Sequence, residues 1–258
     1  MMRSKSFLAM VTALVLGLSS TSAFAGGWGP YFSWGRDDPS AGFPDEFLDR
    51  VDDFVPRDLL EDADLDFTID HLTFGVVYDS APSRASTINY RGTLGFDIAI
   101  NSEIDSVDLP QIGEIDLNDV GLDMDESGYG FTTTHTLGFG LVQTELLKWW
   151  VGPGLRFNFN YYSYEQDVLG FTADIEAANL VIGGGLDTGV NLHLSPNLSL
   201  SLGGGFHWNA FGYVMGDQDI DFGALAWGDG PFYFIQVAAL FHTGPDKDAW
   251  AASPAAQP

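Results

Sequence analysis

Arg91, Asp97, Arg156, Asp187 and His207 are the ionisable residues whose spacing invites a chemical reading. Each stands at a polar position in a segment where every second residue is apolar or small. In "NYRGTLGFDIAI" (89–100), Tyr90, Leu94, Phe96, Ile98 and Ile100 alternate with Asn89, Arg91, Thr93, Gly95, Asp97 and Ala99. Such alternation places Arg91 and Asp97 on one face of an extended strand and the apolar set on the other. His71 and His193 fall on polar faces of the same kind. Two arginines and two aspartates enclosed in one space must pair, because an unpaired buried charge is costly. A structural ion-pair network follows, with Arg91 and Arg156 balancing Asp97 and Asp187. Ionisable groups so placed can also mark an ion path.

Other chemistry finds less support. No G-x-S-x-G elbow is present, and no Ser, His and acid trio is convincingly placed. His207 stands more than a turn's length from Ser199 and Ser201, and His135 falls on the apolar parity of its strand, a rim position near Thr133. The chain therefore reads as non-enzymatic. The stretch "DLNDVGLDMDES" puts Asp116, Asn118 and Gly121 at the first, third and sixth places of a calcium loop. Val120 at the fifth place and Ser127 at the twelfth break that pattern. Asp116, Asn118, Asp123 and Asp125 then form a solvated acidic loop that collects Ca2+ or Mg2+ weakly at most, and no cofactor is implied.

The elements that carry these residues repeat one pattern. Alternation recurs at 66–80, 127–145, 150–164, 174–194, 197–210 and 231–242. These runs exceed the roughly 9–11 residues that a tilted strand needs to cross a bilayer. The polar faces are rich in Gly, Ser, Thr and Asn. The apolar faces carry aromatics near their ends: Tyr78, Tyr90, Trp149, Trp150, Phe159, Tyr161 and Trp208. Aromatic girdles flanking an apolar band suit membrane interfaces. Lipid on one side and a lumen on the other is the expected arrangement. Lumen glycines such as Gly95, Gly154, Gly185 and Gly205 either leave space or admit large neighbours, and the sequence leaves both open.

Connection lengths give the topology. Those near 81–86, 146–149 and 195–197 are short, and those at 103–126, 165–173 and 211–230 are longer and polar. Tight turns on one side and long loops on the other fit an antiparallel up-and-down barrel. An even strand count requires one earlier strand, for which "GWGPYFSW" (27–34) is the candidate. The expectation is eight strands spanning 26–243, with 36–65 as the first outer loop. In that loop Phe47, Val51 and Phe54 lie at helical spacing, so a short amphipathic helix is expected.

Composition agrees with this map. Among 258 residues there are 31 glycines and no cysteine, so neither a disulfide framework nor a thiolate metal site is available. Asp and Glu outnumber Lys and Arg by 36 to 10, yet mean hydropathy is slightly positive. Clustered acid excludes a nucleic-acid partner, which needs basic patches. Of the acidic residues, 26 fall in the four proposed outer loops, whereas the short turns carry Arg84 and Lys148. The start "MMRSKSFLAMVTALVLGLSSTSAFA" has a basic head, an apolar run and an A-x-A end, the pattern of a secretory signal peptide over 1–25. Its removal takes away Arg3 and Lys5 and moves the formal charge from −26 to −28. No later apolar run approaches the length of a spanning helix.

Taken whole, the chain resembles small Gram-negative outer-membrane β-barrel proteins of the OmpA-barrel and OmpW-like type. The resemblance rests on the signal peptide, the eight alternating segments and the last strand "YFIQVAALF" (233–241). There, Tyr233, Ile235, Val237 and Phe241 look like the aromatic-ended signal that the barrel-assembly machinery reads. Unlike many such chains, this one continues past the aromatic into a Pro/Ala-rich tail, 244–258, too short for a periplasmic peptidoglycan-binding domain. The resemblance implies an outer-membrane monomer with both termini in the periplasm, in contact with lipid and lipopolysaccharide. Because one scaffold hosts many functions, two readings stay open. One is a structural or surface-interacting protein with a mostly filled lumen and acidic outer loops. The other is a narrow, cation-preferring channel or a passage for small or apolar solutes.

Overall fold

The computed structural model describes residues 26–42, 61, 63–83, 86–109, 113–116, 125–168, 171–217 and 225–243. Eight long strands run antiparallel in chain order: β1 (Gly26–Asp37), β3 (Asp64–Asp79), β4 (Ile88–Leu109), β6 (Asp125–Gln143), β7 (Leu147–Val168), β8 (Phe171–Ser195), β9 (Leu198–Asp217) and β10 (Leu225–Thr243). Two short strands, β2 (Ser40–Gly42) and β5 (Gly113–Asp116), lie among the longer connections. Successive long strands pair, and β10 returns to β1 from Gly26↔Thr243 to Asp37↔Phe232, so the sheet closes into an up-and-down barrel. Closure satisfies the backbone groups that a sheet edge would leave bare in lipid.

The first strand is longer than 27–34 and belongs to the ring. Trp28 and Phe32 face outward while Tyr31, Ser33 and Asp37 face inward. Pro30, which lacks an N–H, pairs in register with Val76 but falls in a gap in the β1–β10 register. Past Asp38 and Pro39, β2 resumes the path and bridges β10 and β3.

The barrel has a turn end, with connections 80–87, 144–146 and 196–197, and a loop end carrying the remaining connections. The expected third outer loop, 165–173, is instead the tip of an extended hairpin. β7 and β8 run for 22 and 25 residues and are joined by residues 169–170 alone. Strands beyond a bilayer need no apolar outer face, so Glu165 and Asp167 read as loop although the ladder passes through them. Likewise β4 extends to Leu109 and pairs with β5 inside the expected loop 103–126. β9 and β10 also take up most of 211–230, leaving 218–224 between them. The signal peptide over 1–25, the helix expected around Phe47, Val51 and Phe54, Arg84, and the tail 244–258 lie outside the described residues.

Inward glycines make room for bulk. A Cβ on Gly189 would meet Trp150 at 2.6 Å, one on Gly35 would meet Phe232 at 2.6 Å, and one on Gly128 would meet Tyr162 at 2.5 Å. Gly95 lies under the Tyr31 hydroxyl and the Thr73 methyl. Of the two roles open to these glycines, admitting large neighbours is the one observed, and the lumen is packed as a result.

Candidate functional site

Alternation sends the polar half of every strand into the lumen, where the side chains meet at three levels. At the turn end, the connection after β3 folds inward, burying Ala81 and Ser83. Lys148 on β7 donates from Nζ to Ala81 O at 2.6 Å and to Ser86 O at 2.9 Å. Just inside, Arg91 pairs with Asp79 at 3.5 Å and lies over the Trp150 ring, 5.3 Å from its centroid. Asn89 and Asn191 also donate to Asp79.

The middle level is a cross-lumen brace. Arg156 on β7 donates from Nη1 to both carboxylate oxygens of Asp37 on β1, each at 2.9 Å. Its guanidinium carbon sits 3.6 Å from the Phe232 centroid. His71 on β3 lies between Asp37 (3.1 Å) and Asp97 (3.2 Å). Each ring nitrogen thus faces a carboxylate. Thr73 and Asn158 complete Asp97, and Asn209 completes Asp37. Beside the brace, Asp187 accepts from His207 Nε2 at 2.7 Å and from the Thr136 hydroxyl. A small cavity of about 20 Å3 remains against Tyr31, Thr132 and Arg156, room for about one water.

At the loop end the interior turns apolar. Ala41, Val181 and Phe211 form one cluster, Ile69 and Tyr162 another, and Phe67 packs against both. The wall there is polar: Arg36 binds Asp70 through two bonds of 2.8 and 2.9 Å, and Thr68 donates to Asp105 at 2.6 Å. Asp38, between β1 and β2, has its carboxyl pushed above the usual range by partial burial and by Asp105 and Asp37, against the pull of Arg36.

The sequence-predicted residues Arg91, Asp97, Arg156, Asp187 and His207 all face the lumen and are buried. Their partners differ from those expected. Arg91 pairs with Asp79 and Arg156 with Asp37, while Asp97 turns to His71 and Asp187 to His207. Asp37 and Asp79 are both readable from parity. Asp37 extends the series Tyr31, Ser33, Gly35, and Asp79 the series His71, Thr73, Gly75. Trp150, expected in a girdle, is instead fully buried in the lumen, and Lys148 is no exposed turn residue; both share the inward parity of Gly152, Gly154 and Arg156. The lumen-facing buried charges among the described residues are Lys148, Arg91 and Arg156 against Asp37, Asp79, Asp97 and Asp187, with His71 and His207 each beside a carboxylate.

His193 and His242 both bond Ser199 Oγ at 2.8 Å near the turn end, well separated from His207. His135 faces outward beside Tyr90, in the middle of β6 rather than at a rim. Tyr90 Oη lies 2.6 Å from His135 Nδ1, Thr133 Oγ1 lies 3.2 Å from Nε2, and Thr133 donates to Thr93 O at 2.6 Å. Tyr233, Ile235, Val237 and Phe241 face outward on the closing strand β10. Asp116 lies in β5 and Asp125 opens β6, with their side chains undescribed; Asn118 and Asp123 lie outside the described residues.

An apolar, aromatic-bordered exterior around a polar, charge-paired interior inverts the pattern of a water-soluble barrel. Trp28, Tyr78, Tyr90, Trp149 and Phe241 border the turn side, and Trp34, Tyr129, Tyr161 and Trp208 the loop side. This geometry defines a small transmembrane β-barrel of the outer-membrane type. No protein family and no curated protein matches the sequence. Among solved structures, the chain is similar to a major outer membrane protein from Thermus thermophilus, at 17% identity and a TM-score of 0.42, covering 82% of this chain and 99% of that one. It is also similar to the outer membrane protein OprG from Pseudomonas aeruginosa, at 10% identity and a TM-score of 0.41, covering 85% and 96%. A third similarity is to the outer membrane protease OmpT from Escherichia coli, at 10% identity and a TM-score of 0.35, covering 84% and 97%. Likenesses this distant carry no functional inference.

Proposed function

We propose that the chain is a non-enzymatic outer-membrane barrel with an occluded lumen, whose role is structural or surface-interacting. The observation that carries this reading is the brace of Arg156, Asp37, His71 and Asp97, buried and tied across the middle of the barrel. An eight-stranded barrel is just wide enough for side chains to fill it, and the turn-end and loop-end levels add two further closures. The barrel sits as a monomer with its turn end in the periplasm and its acidic loop end outside, facing lipopolysaccharide and divalent cations. The barrel-assembly machinery inserts it through the outward residues of β10.

Single-channel recording of the refolded chain in a planar bilayer tests the reading. Folded protein, shown by heat-modifiable gel mobility, should give no discrete steps. Cation-selective steps would overturn occlusion and establish the narrow-channel reading instead.

A further inference from the structure

Three turns close the turn end, and one behaves unlike the others. Thr144 and Leu146 in one and Asn197 in another are exposed, whereas Ala81, Pro82 and Ser83 are buried. The backbone after β3 leaves the wall and crosses beneath the lumen. It is held there by side chains from opposite strands. Lys148 on β7 takes two of its carbonyls, Ala81 O and Ser86 O, and Asn191 on β8 donates to a third, Pro82 O, at 2.9 Å. Asp79 accepts from Ala81 N at 3.0 Å. On the far side, β1 is cut away to receive it: a Cβ on Gly27 would meet Pro82 Cγ at 2.9 Å. Lys148 is itself buried. An ammonium taken out of water needs acceptors, so the lysine and the carbonyls of the turn hold each other in place.

We propose that residues 81–83, which follow β3, are a lid over the turn-end mouth, latched by Lys148 and seated against Gly27. The proposal rests on the occluded-lumen reading and adds where the polar interior first becomes reachable. Among the described residues, Ala81 and Pro82 are held by side chains, while backbone bonds to the barrel are made at Ser80 and Thr87, so the lid can open without breaking the ring. Lys148 is the latch because one side chain holds two points of the turn, and Gly27 is the seat because any side chain there pushes on Pro82. Behind the lid lie Asp79, Arg91 and Trp150.

The absence of cysteine makes the test clean. Ser83→Cys and, as an exposed reference, Asn197→Cys are refolded in detergent micelles and labelled with a charged maleimide. The thiol of Ser83→Cys should react at least about tenfold more slowly than the reference, as expected where access needs a local opening. Lys148→Met added to Ser83→Cys should raise its rate at least about tenfold, with gel mobility still folded. Should Lys148→Met not fold, Gly27→Ala supplies the second route, since it displaces Pro82 and leaves the lysine intact. Equal rates for Ser83→Cys and Asn197→Cys would show that no lid is closed. Rates unmoved by either added substitution would show that the turn is not latched or seated as proposed. Labelling reads the lid whether or not the barrel conducts, so its failure is distinct from a failure of the occluded-lumen reading.

Discussion

Arg156→Met is the perturbation that best tests whether the lumen is a packed interior or a wet channel. Arg156 is 2% exposed as a side chain, and its guanidinium makes two 2.9 Å contacts to Asp37 while lying 3.6 Å from the Phe232 centroid. Methionine keeps much of the volume and removes the charge, leaving Asp37 with His71 and Asn209 as partners. Breaking a buried pair by deleting one member costs about 3–5 kcal/mol. His71 offsets part of the loss, whereas the lost contact with Phe232, about 2 kcal/mol for a desolvated cation–π pair, adds to it. The expected destabilisation is therefore about 3–5 kcal/mol. Reversible urea unfolding in lipid vesicles, followed by the fluorescence of the chain's seven tryptophans, measures it. Adding Asp37→Asn removes the orphaned charge, so the double variant should be more stable than the sum of the single losses by about 1–3 kcal/mol. A loss below about 1 kcal/mol for Arg156→Met, the range of water-exposed pairs, would refute the packed brace.

The same urea assay checks three further expectations. Arg36→Ala should cost less than about 1 kcal/mol although its bonds to Asp70 are as short as those of Arg156, because the Arg36 side chain is 43% exposed. Gly95→Ala would drive a methyl into Tyr31 and Thr73 and should cost about 1–3 kcal/mol, whereas Gly184→Ala, whose nearest neighbour is 3.6 Å away, should stay within about 0.5 kcal/mol. Tyr90→Phe strands His135 Nδ1 on the lipid-facing wall and should cost about 1–2 kcal/mol; Tyr90→Phe with His135→Leu removes both partners and should recover most of that.

Parity makes the barrel legible. A period of two is strict, so Arg91, Asp97, Arg156, Asp187 and His207 can be sent to the lumen from the sequence alone. Pairing is not legible, because it depends on height around a tilted cylinder. Arg91 and Asp97 share a strand and a face, yet they stand six positions apart, and each reaches a nearer partner on another strand, Asp79 and His71. Strand ends are the other weak point. Asp37 reads as loop because the next residues, Asp38 and Pro39, break the pattern, although the alternation from Tyr31 carries through it. Trp150 shows the competing cue: an aromatic near a strand end suggests a girdle, but its neighbour Trp149 takes the outward position and Gly189 clears space for Trp150 inside. His135 reads as a rim residue on polarity alone. Its satisfaction by Tyr90 and Thr133 is what allows it to face outward in the middle of the wall.

The change in sidedness along the barrel explains why its strands continue past the aromatic border. Between the two borders the outer wall meets lipid, so apolar residues face out and the polar residues turned inward must satisfy one another. Beyond the loop-side border water replaces lipid, and the preference reverses. Phe67, Ile69, Tyr162, Val181 and Phe211 turn inward, while Arg36 with Asp70 and Thr68 with Asp105 stand on the wall. Register shifts in the β3–β4 ladder at Asp66/Phe67 and Asp70/His71 fall at this transition. Both shifts place the extra residue on β4, whereas Phe67 and Ile69 keep the inward parity of His71 and Thr73, so the interior changes from polar to apolar by residue type and not by a flip of faces. The apolar plug at the loop end is thus the core of a short water-facing barrel stacked on a lipid-facing one. A wide pore would have to remove that core as well as the brace. On the occluded-lumen reading proposed above, closure is therefore a property of the whole column, and a substitution that loosens one level should leave the other two closed.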